Sequence, residues 1–425
     1  MNRTRRLGGL VVSAVAAAPF AYLWIGMMAS ARDPLTFRVR LDMAIWMAVF
    51  GTPWMVAAHL LWRAWWRRAG AELSALDGPA RLLAAAAATL PSDRREWGVA
   101  MAAELAQVRG RSARWRFAAG CARAAVFPPH ADRVAVGVAA ALAAAAVAAA
   151  ALATTALVPA MRVFAVAFVA LIGGLATLAV ARSRRLGRVR PDLAVAAAGL
   201  AGIAGSIGYT AHYLVNYPST PRIQPPTTSP TLPPGTALFL ATALAGCLWL
   251  VLVPPRWLLA SRAARRFGLA MAAVLVAGFL LQARPGLAAW LGLGGVVDRN
   301  PEVMGYLLFA PLVLVLPGAA VAAAAGRSFR AGLGACAWAL VLGAPLIVAL
   351  WLAEALRVYR QDGGLLLDGD GGFGVIGVGA NLGDAVWWTL LSVLLWALPL
   401  GVIGAAAGSL PARRRPKRLA PYRDV

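Results

Sequence analysis

Apolar residues run through this chain in long blocks, without the short alternations of a soluble fold. Ten blocks stand out, near 8–29, 41–62, 134–158, 163–181, 193–215, 236–254, 267–283, 304–325, 331–355 and 385–409. A bilayer core about 30 Å thick is crossed by a helix of roughly 20 mostly apolar residues. It holds no water for unpaired N–H and C=O groups, so the crossing segments are expected as helices. The expected fold is therefore all-α: a polytopic membrane helix bundle of about ten transmembrane helices. Residues 1–62 supply two of them, and 134–410 form an eight-helix region. Between these lies a small helical insert, 63–133, and residues 411–425 form a basic tail.

The insert has its own helical punctuation. Asp77-Gly78-Pro79 reads as a helix start, with proline at an early helical position. Leu83, Ala86 and Leu90 recur at helical spacing, and Pro91 stops the run. Asp93 then reads as an N-cap, with Glu96 three residues on in a capping-box arrangement. Gly110 ends this second helix. A third runs from Ser112 to Val126, before Pro128-Pro129. At 100° per residue, Trp97, Met101 and Val108 fall within about 40° of one another, flanked by Ala100 and Leu105. Glu104 falls in the middle of that face. Trp115, Ala119, Ala122 and Val126 share a face on the third helix. A carboxylate in an apolar stripe is costly unless paired, so Glu104 is expected to meet Arg111 or Arg114.

Charge then sets orientation. With the N-terminus inside, nine of the 41 Lys+Arg fall on outer segments, and the other 32 on inner ones, 12 of them in the insert. Such a bias orients both termini inwards. The opposite orientation would expose the tail, Ala412-Arg413-Arg414-Arg415-Pro416-Lys417-Arg418, outside. The net charge of +24 thus follows from topology. It calls for anionic lipid headgroups at the inner loops, and no nucleic-acid module is recognisable. Asn2-Arg3-Thr4-Arg5-Arg6 with Ala29-Ser30-Ala31 also has the layout of a signal peptide. The apolar run exceeds the 7–15 residues of a signal core, and a retained helix is the preferred reading. Arginine-rich, alanine-rich composition with a single lysine, Lys417, fits a high-GC bacterial genome and the cytoplasmic membrane of such a cell.

Arg95-Glu96-Trp97-x-x-Ala100-Met101-x-x-Glu104-Leu105, followed by Arg114-Trp115-Arg116-Phe117-Ala118-x-Gly120-Cys121, resembles a motif of uncharacterised multi-pass membrane proteins of high-GC bacteria. Beyond this segment the resemblance is one of general layout. It implies a location, and no activity comes with it.

Chemistry elsewhere is sparse. Cys121, Cys247 and Cys336 form no disulfide or metal pattern. HExxH, Walker A and G-x-S-x-G are absent. Ser206 and His212 lie on different faces of one helix. Asp42, His59, His212 and Glu354 sit near span ends, which leaves the membrane midplane without the charges of ion-coupled transport. The segment 216–235 is rich in Pro, Thr and Ser and reads as an extended linker. Asp368-Gly369-Asp370 resembles a calcium loop, but Gly379 stands where that loop needs glutamate. Gly199, Gly202 and Gly205 favour close helix packing. Leu316-Pro317 before Ala323-Ala324-Ala325-Gly326 is echoed by Leu398-Pro399 before Ala405-Ala406-Ala407-Gly408, a weak repeat in an alanine-rich chain.

The expected function is non-enzymatic: a regulatory or scaffold protein whose insert contacts a cytoplasmic protein partner or the membrane surface through Trp97, Met101, Glu104, Arg111, Arg114 and Trp115. No catalytic, cofactor or metal residues are assigned. Two alternatives stand beside it. One is a permease-like transporter of an apolar or amphipathic substrate. The other is an enzyme acting on a lipid-linked substrate through Asp362, Asp368 and Asp370.

Overall fold

The computed structural model describes residues 3–30, 37–69, 76–88, 90, 94–126, 133–154, 159–182, 201–205, 234–252, 254, 256–259, 261–283, 313–362 and 394–410. Among these, every regular element is a helix. Among the described residues, six helices are long and apolar enough to cross a membrane: Leu7–Ala29, Phe37–Trp66, Arg133–Ala153, Pro159–Ala181, Pro234–Leu252 and Phe329–Leu350. The protein is thus all-helical, with the character of a membrane protein. The chain divides into two units, Met1–Val189 and Arg190–Val425.

The first unit holds α1 (Arg3–Ser30), α2 (Phe37–Ala69), the insert helices α3 (Gly78–Ala88), α4 (Arg95–Gln107) and α5 (Arg111–Val126), then α6 (Arg133–Ala153) and α7 (Pro159–Arg182). Helices α1 and α2 pack antiparallel. Gly8 and Gly9 lie against Trp62 and His59, and Gly51 lies against Phe20. A side chain at Gly9 would come within 2.9 Å of the His59 ring, so glycine there permits the close approach. Ser13 donates its hydroxyl to the Gly9 carbonyl at 2.9 Å, which satisfies it inside the helix pair. Phe20 meets Phe164 edge-on at 5.5 Å, which ties α1 to α7. Gly173 of α7 lies against Ala143 of α6. Leu10, Val11, Val15, Ile25, Leu171 and Leu175 remain exposed. That much outward apolar surface is costly in water and costs nothing in hydrocarbon.

The second unit holds α8 (Pro234–Leu252), α9 (Arg256–Leu259), α10 (Arg262–Ala283), α11 (Val315–Ala325), α12 (Phe329–Asp362) and α13 (Leu394–Leu410). Helix α12 is its centre: 78% of its apolar window is buried, against 17% in α8. Trp338 of α12 is buried and donates its indole N–H to the Leu258 carbonyl at 3.2 Å. Helix α10 runs parallel to α12, with Gly334 beside Ala264, Gly268 beside Trp338 and Gly343 beside Ala272. Helices α11 and α13 run parallel to each other. Gly404 lies on the Leu316 carbonyl and Gly408 on the Ala320 carbonyl. The two echoing Leu-Pro stretches therefore pack side by side.

The tight small-residue seam is Gly332, Gly401, Gly404 and Gly408, of which the sequence pattern named Gly408 alone, as part of the weak repeat and not for packing. Of the glycines it did name, Gly202 meets Leu346, and a Cβ on Gly205 would meet nothing within 4 Å. Gly199 lies outside the described residues. So do His130, His212, Asp93, the loop with Asp368 and Asp370, and the basic tail; of the stretch expected at 193–215, only 201–205 are described, as helix.

Candidate functional site

The insert forms three helices where the sequence placed them. Asp77 caps α3: its carboxylate accepts the Ala80 N–H at 3.0 Å. This satisfies one of the donors a helix start leaves unpaired. Helix α4 starts later than expected, with Arg94 at the N-cap and no side-chain cap bond. The Asp93 of the expected capping box lies outside the described residues. Glu96 still lies in its first turn, where the helix dipole favours a carboxylate. Gly110 adopts a φ of 87°, a left-handed conformation that glycine takes without steric cost. That residue turns the chain from α4 into α5.

The three helices bury a core of Leu83, Ala86, Leu90, Met101, Leu105, Ala118 and Ala125. Trp97, Phe117, Cys121 and Ala122 pack against it. Leu83, Ala86 and Leu90 are the face expected for α3. The faces of α4 and α5 differ from expectation. With Trp97 at zero on a helical wheel, Met101, Leu105 and Gly98 lie at about 40°, 80° and 100°. All three are buried. Glu104 lies at about −20° and is exposed. Gly98 explains the rotation. It carries no side chain, so it adds nothing to an apolar count, yet a Cβ there would stand 3.1 Å from that of Ala87. The helices approach most closely where the sequence pattern is blank.

On α5 the buried residues are Ala118 and Ala125, while Ala119 is exposed and Trp115 is 41% exposed. The indole of Trp115 covers Gly78 at the start of α3. The ring thus sits at the rim of the core.

The expected Glu104–arginine pair is replaced by another. Arg114 forms an ion pair with Asp77 at 2.9 Å, and its Nε donates to the same carboxylate at 3.1 Å. Its Nη1 donates to the carbonyls of Leu105 at 2.7 Å and Val108 at 3.3 Å. These belong to the end of α4, where a cation also meets the negative pole of the helix dipole. One guanidinium thus joins the start of α3 to the end of α4 from α5. The Ala80 N–H holds the Asp77 carboxyl below its ordinary pKa; a small loss of solvation opposes this, and Arg114 reinforces it. Burial pushes the Cys121 thiol up, and the Glu104 carboxylate adds to the rise.

Between α3 and α4 lies an open groove of about 310 Å³, floored by Ala80, Ala84, Ala87, Gly98, Ala102 and Ala106, with the Asp77–Arg114 pair at its margin. Ala102 and Ala106 also belong to an exposed stripe of α4 with Ala103 and Val99, the last 71% exposed. Sequence reasoning missed this surface because a run of alanines signals helix and little else. Of the residues expected to make contacts, Met101 lies in the core and Trp97 is half-buried against it. Arg114 is half-buried and structural. Glu104, Arg111 and Trp115 are exposed. Arg111, Trp115, Arg116 and Arg123 give α5 a basic, partly aromatic outer side. A second aromatic group, Trp62, Trp65 and Trp66, has ring centroids 4.9–5.9 Å apart at the end of α2. It adjoins Arg63. That residue mixture is the one that anchors helices at membrane interfaces.

Among the described residues, no three His, Cys, Asp or Glu side chains come together to hold a metal ion. No family model, curated protein or solved structure matches the chain.

Proposed function

We propose that this protein is a membrane-embedded scaffold or regulator of the bacterial cytoplasmic membrane. It has ten spans and both termini inside, and its insert docks a cytoplasmic protein. The observation that carries this reading is the α3–α4 groove. An insert with its own core and a three-way arginine clasp presents a groove floored by small side chains, of which Ala102 and Ala106 are exposed. Small side chains let a second helix approach its backbone closely. The Asp77–Arg114 pair at the margin provides a polar fixed point for orientation. The exposed arginines of α5, with Trp115, are suited to rest on anionic headgroups, which would hold the groove at the membrane surface.

The test is photo-crosslinking in cells from Ala102, on the groove floor, with Ala119 on α5 as the comparison. Capture of one soluble protein from position 102, lost in an Ala106→Arg variant, supports docking. Crosslinks from 102 confined to lipid or to the protein's own helices would refute it and leave the insert as a surface hairpin.

A further inference from the structure

In the second unit, two basic turns meet. The α11–α12 turn and the start of α10 touch: a Cβ at Gly326 would lie 3.4 Å from the Ser261 hydroxyl. Helix α10 opens with Arg262, Arg265 and Arg266, and Arg327 and Arg330 flank the start of α12. Arg262, Arg266, Arg327 and Arg330 are exposed. Arg265 is half-buried and donates to the Leu259 carbonyl at 2.6 Å. No Asp or Glu occurs among residues 256–283 or 313–330. Ser261 and Ser328 already accept the backbone N–H groups of Ala264 and Arg330 at 3.2 Å, so local capping is met without an anion and the arginines are additional to it.

The placement of these charges is unfavourable for the isolated chain. Like charges repel, and a helix start is positive, so cations there gain nothing from the dipole. Arg327 adds a backbone cost. It closes α11 with a φ of 47°, while the Ser328 N–H reaches back to the Ala323 carbonyl at 2.9 Å. This is the helix-ending position where glycine is the ordinary residue. An arginine there adds a further exposed cation to the turn that also carries Arg330, at the expense of backbone comfort.

We infer that the joined α10 and α11–α12 turns form a binding surface for the phosphate of an anionic membrane phospholipid. The recognising chemistry is guanidinium on phosphate oxygen, with no carboxylate among residues 256–283 or 313–330 to compete. The occupant is a lipid because the arginines end helices that are themselves apolar. Helix α12 holds one of the helices long and apolar enough to cross a membrane, and with that helix in a bilayer a headgroup would lie at the depth of these turns. The inference rests on the inward orientation proposed above for the starts of α10 and α12.

The test uses the full chain purified in mild detergent and titrated with phosphatidylglycerol, phosphatidylcholine or inorganic phosphate. Retained lipid is counted by native mass spectrometry. Arg327→Gly removes a charge and relieves the backbone, so it should fold at least as well as wild type. It should lower phosphatidylglycerol affinity about five-fold, and Arg327→Gly with Arg330→Gln about 25-fold, as expected for juxtamembrane arginines. Arg162→Gln, in α7 of the other unit, should leave it unchanged. Equal affinity in wild type and the double variant would overturn the site. Occupancy by inorganic phosphate at the same concentration as the lipid would overturn the lipid as occupant. Orientation is read separately by an impermeant maleimide on Arg330→Cys, in a chain whose Cys121, Cys247 and Cys336 are replaced by alanine. Labelling in intact cells would sink the topology. Labelling only in inverted vesicles, with lipid affinity unmoved in the double variant, would sink the lipid site alone.

Discussion

Leu105 and Glu104 are neighbours on α4 with opposite fates, and the pair gives a sharp test of how the insert is built. Leu105 is 2% exposed in the three-helix core, whereas Glu104 is exposed. Truncating a buried leucine to alanine costs about 2–5 kcal/mol. Leu105 also borders the open groove, where the cavity can partly collapse or fill with water, so about 3 kcal/mol is the expected cost of Leu105→Ala. A unit of about fifty residues at roughly 0.05–0.15 kcal/mol per residue holds only about 3–7 kcal/mol. The substitution therefore removes much of the insert's local stability. Amide exchange in α4 and α5 should quicken on the order of 100-fold through local opening. Glu104→Gln should shift stability by no more than about 0.5 kcal/mol, as surface substitutions do. The assay is hydrogen exchange with mass spectrometry on the full chain in nanodiscs, following peptides from 101–126. Exchange unchanged in Leu105→Ala would refute the core. A response to Glu104→Gln as large as that to Leu105→Ala would restore Glu104 to the apolar face.

Gly408→Ala should destabilise the second unit by about 1–3 kcal/mol, because its methyl would strike the Ala320 carbonyl in a close-packed seam; Gly205→Ala, with open space around it, should not. Thermal melts of the two purified variants compare them directly, and equal melting temperatures would contradict the seam. Asp77 has a lowered pKa, so its stabilisation of the insert is full above the ordinary value of 3.8 and is lost as pH falls through the lowered folded value. Asp77→Asn should flatten that acid limb in melts run from neutral pH downwards, and an unchanged limb would count against the cap. Glu104→Gln should speed alkylation of Cys121 at fixed pH near neutrality, since the carboxylate helps to raise that thiol; equal rates would separate the two side chains.

Block hydrophobicity determined the helical class and the positions of the six membrane-length helices among the described residues, and glycine, proline and helical spacing determined the three insert helices. Those features depend on local composition: twenty apolar residues demand a helix in hydrocarbon, and Gly110 or Pro79 mark ends wherever they occur. Within the insert, Leu83, Ala86 and Leu90 were legible as core because α3 has large residues on one face only. Tertiary structure decided which way α4 and α5 turned. Gly98 lies against Ala87 and Ala118 is fully buried; both residues carry almost no hydrophobic signal and show their role only when another helix lies against them. The partner of Arg114 was decided in the same way. Asp77 is 37 residues away in sequence, and only the packing of α3 on α5 brings the charges together. The groove, the glycine seam of α11–α13 and the meeting of two basic turns are likewise properties of distance between helices, which the pattern along a single chain does not contain.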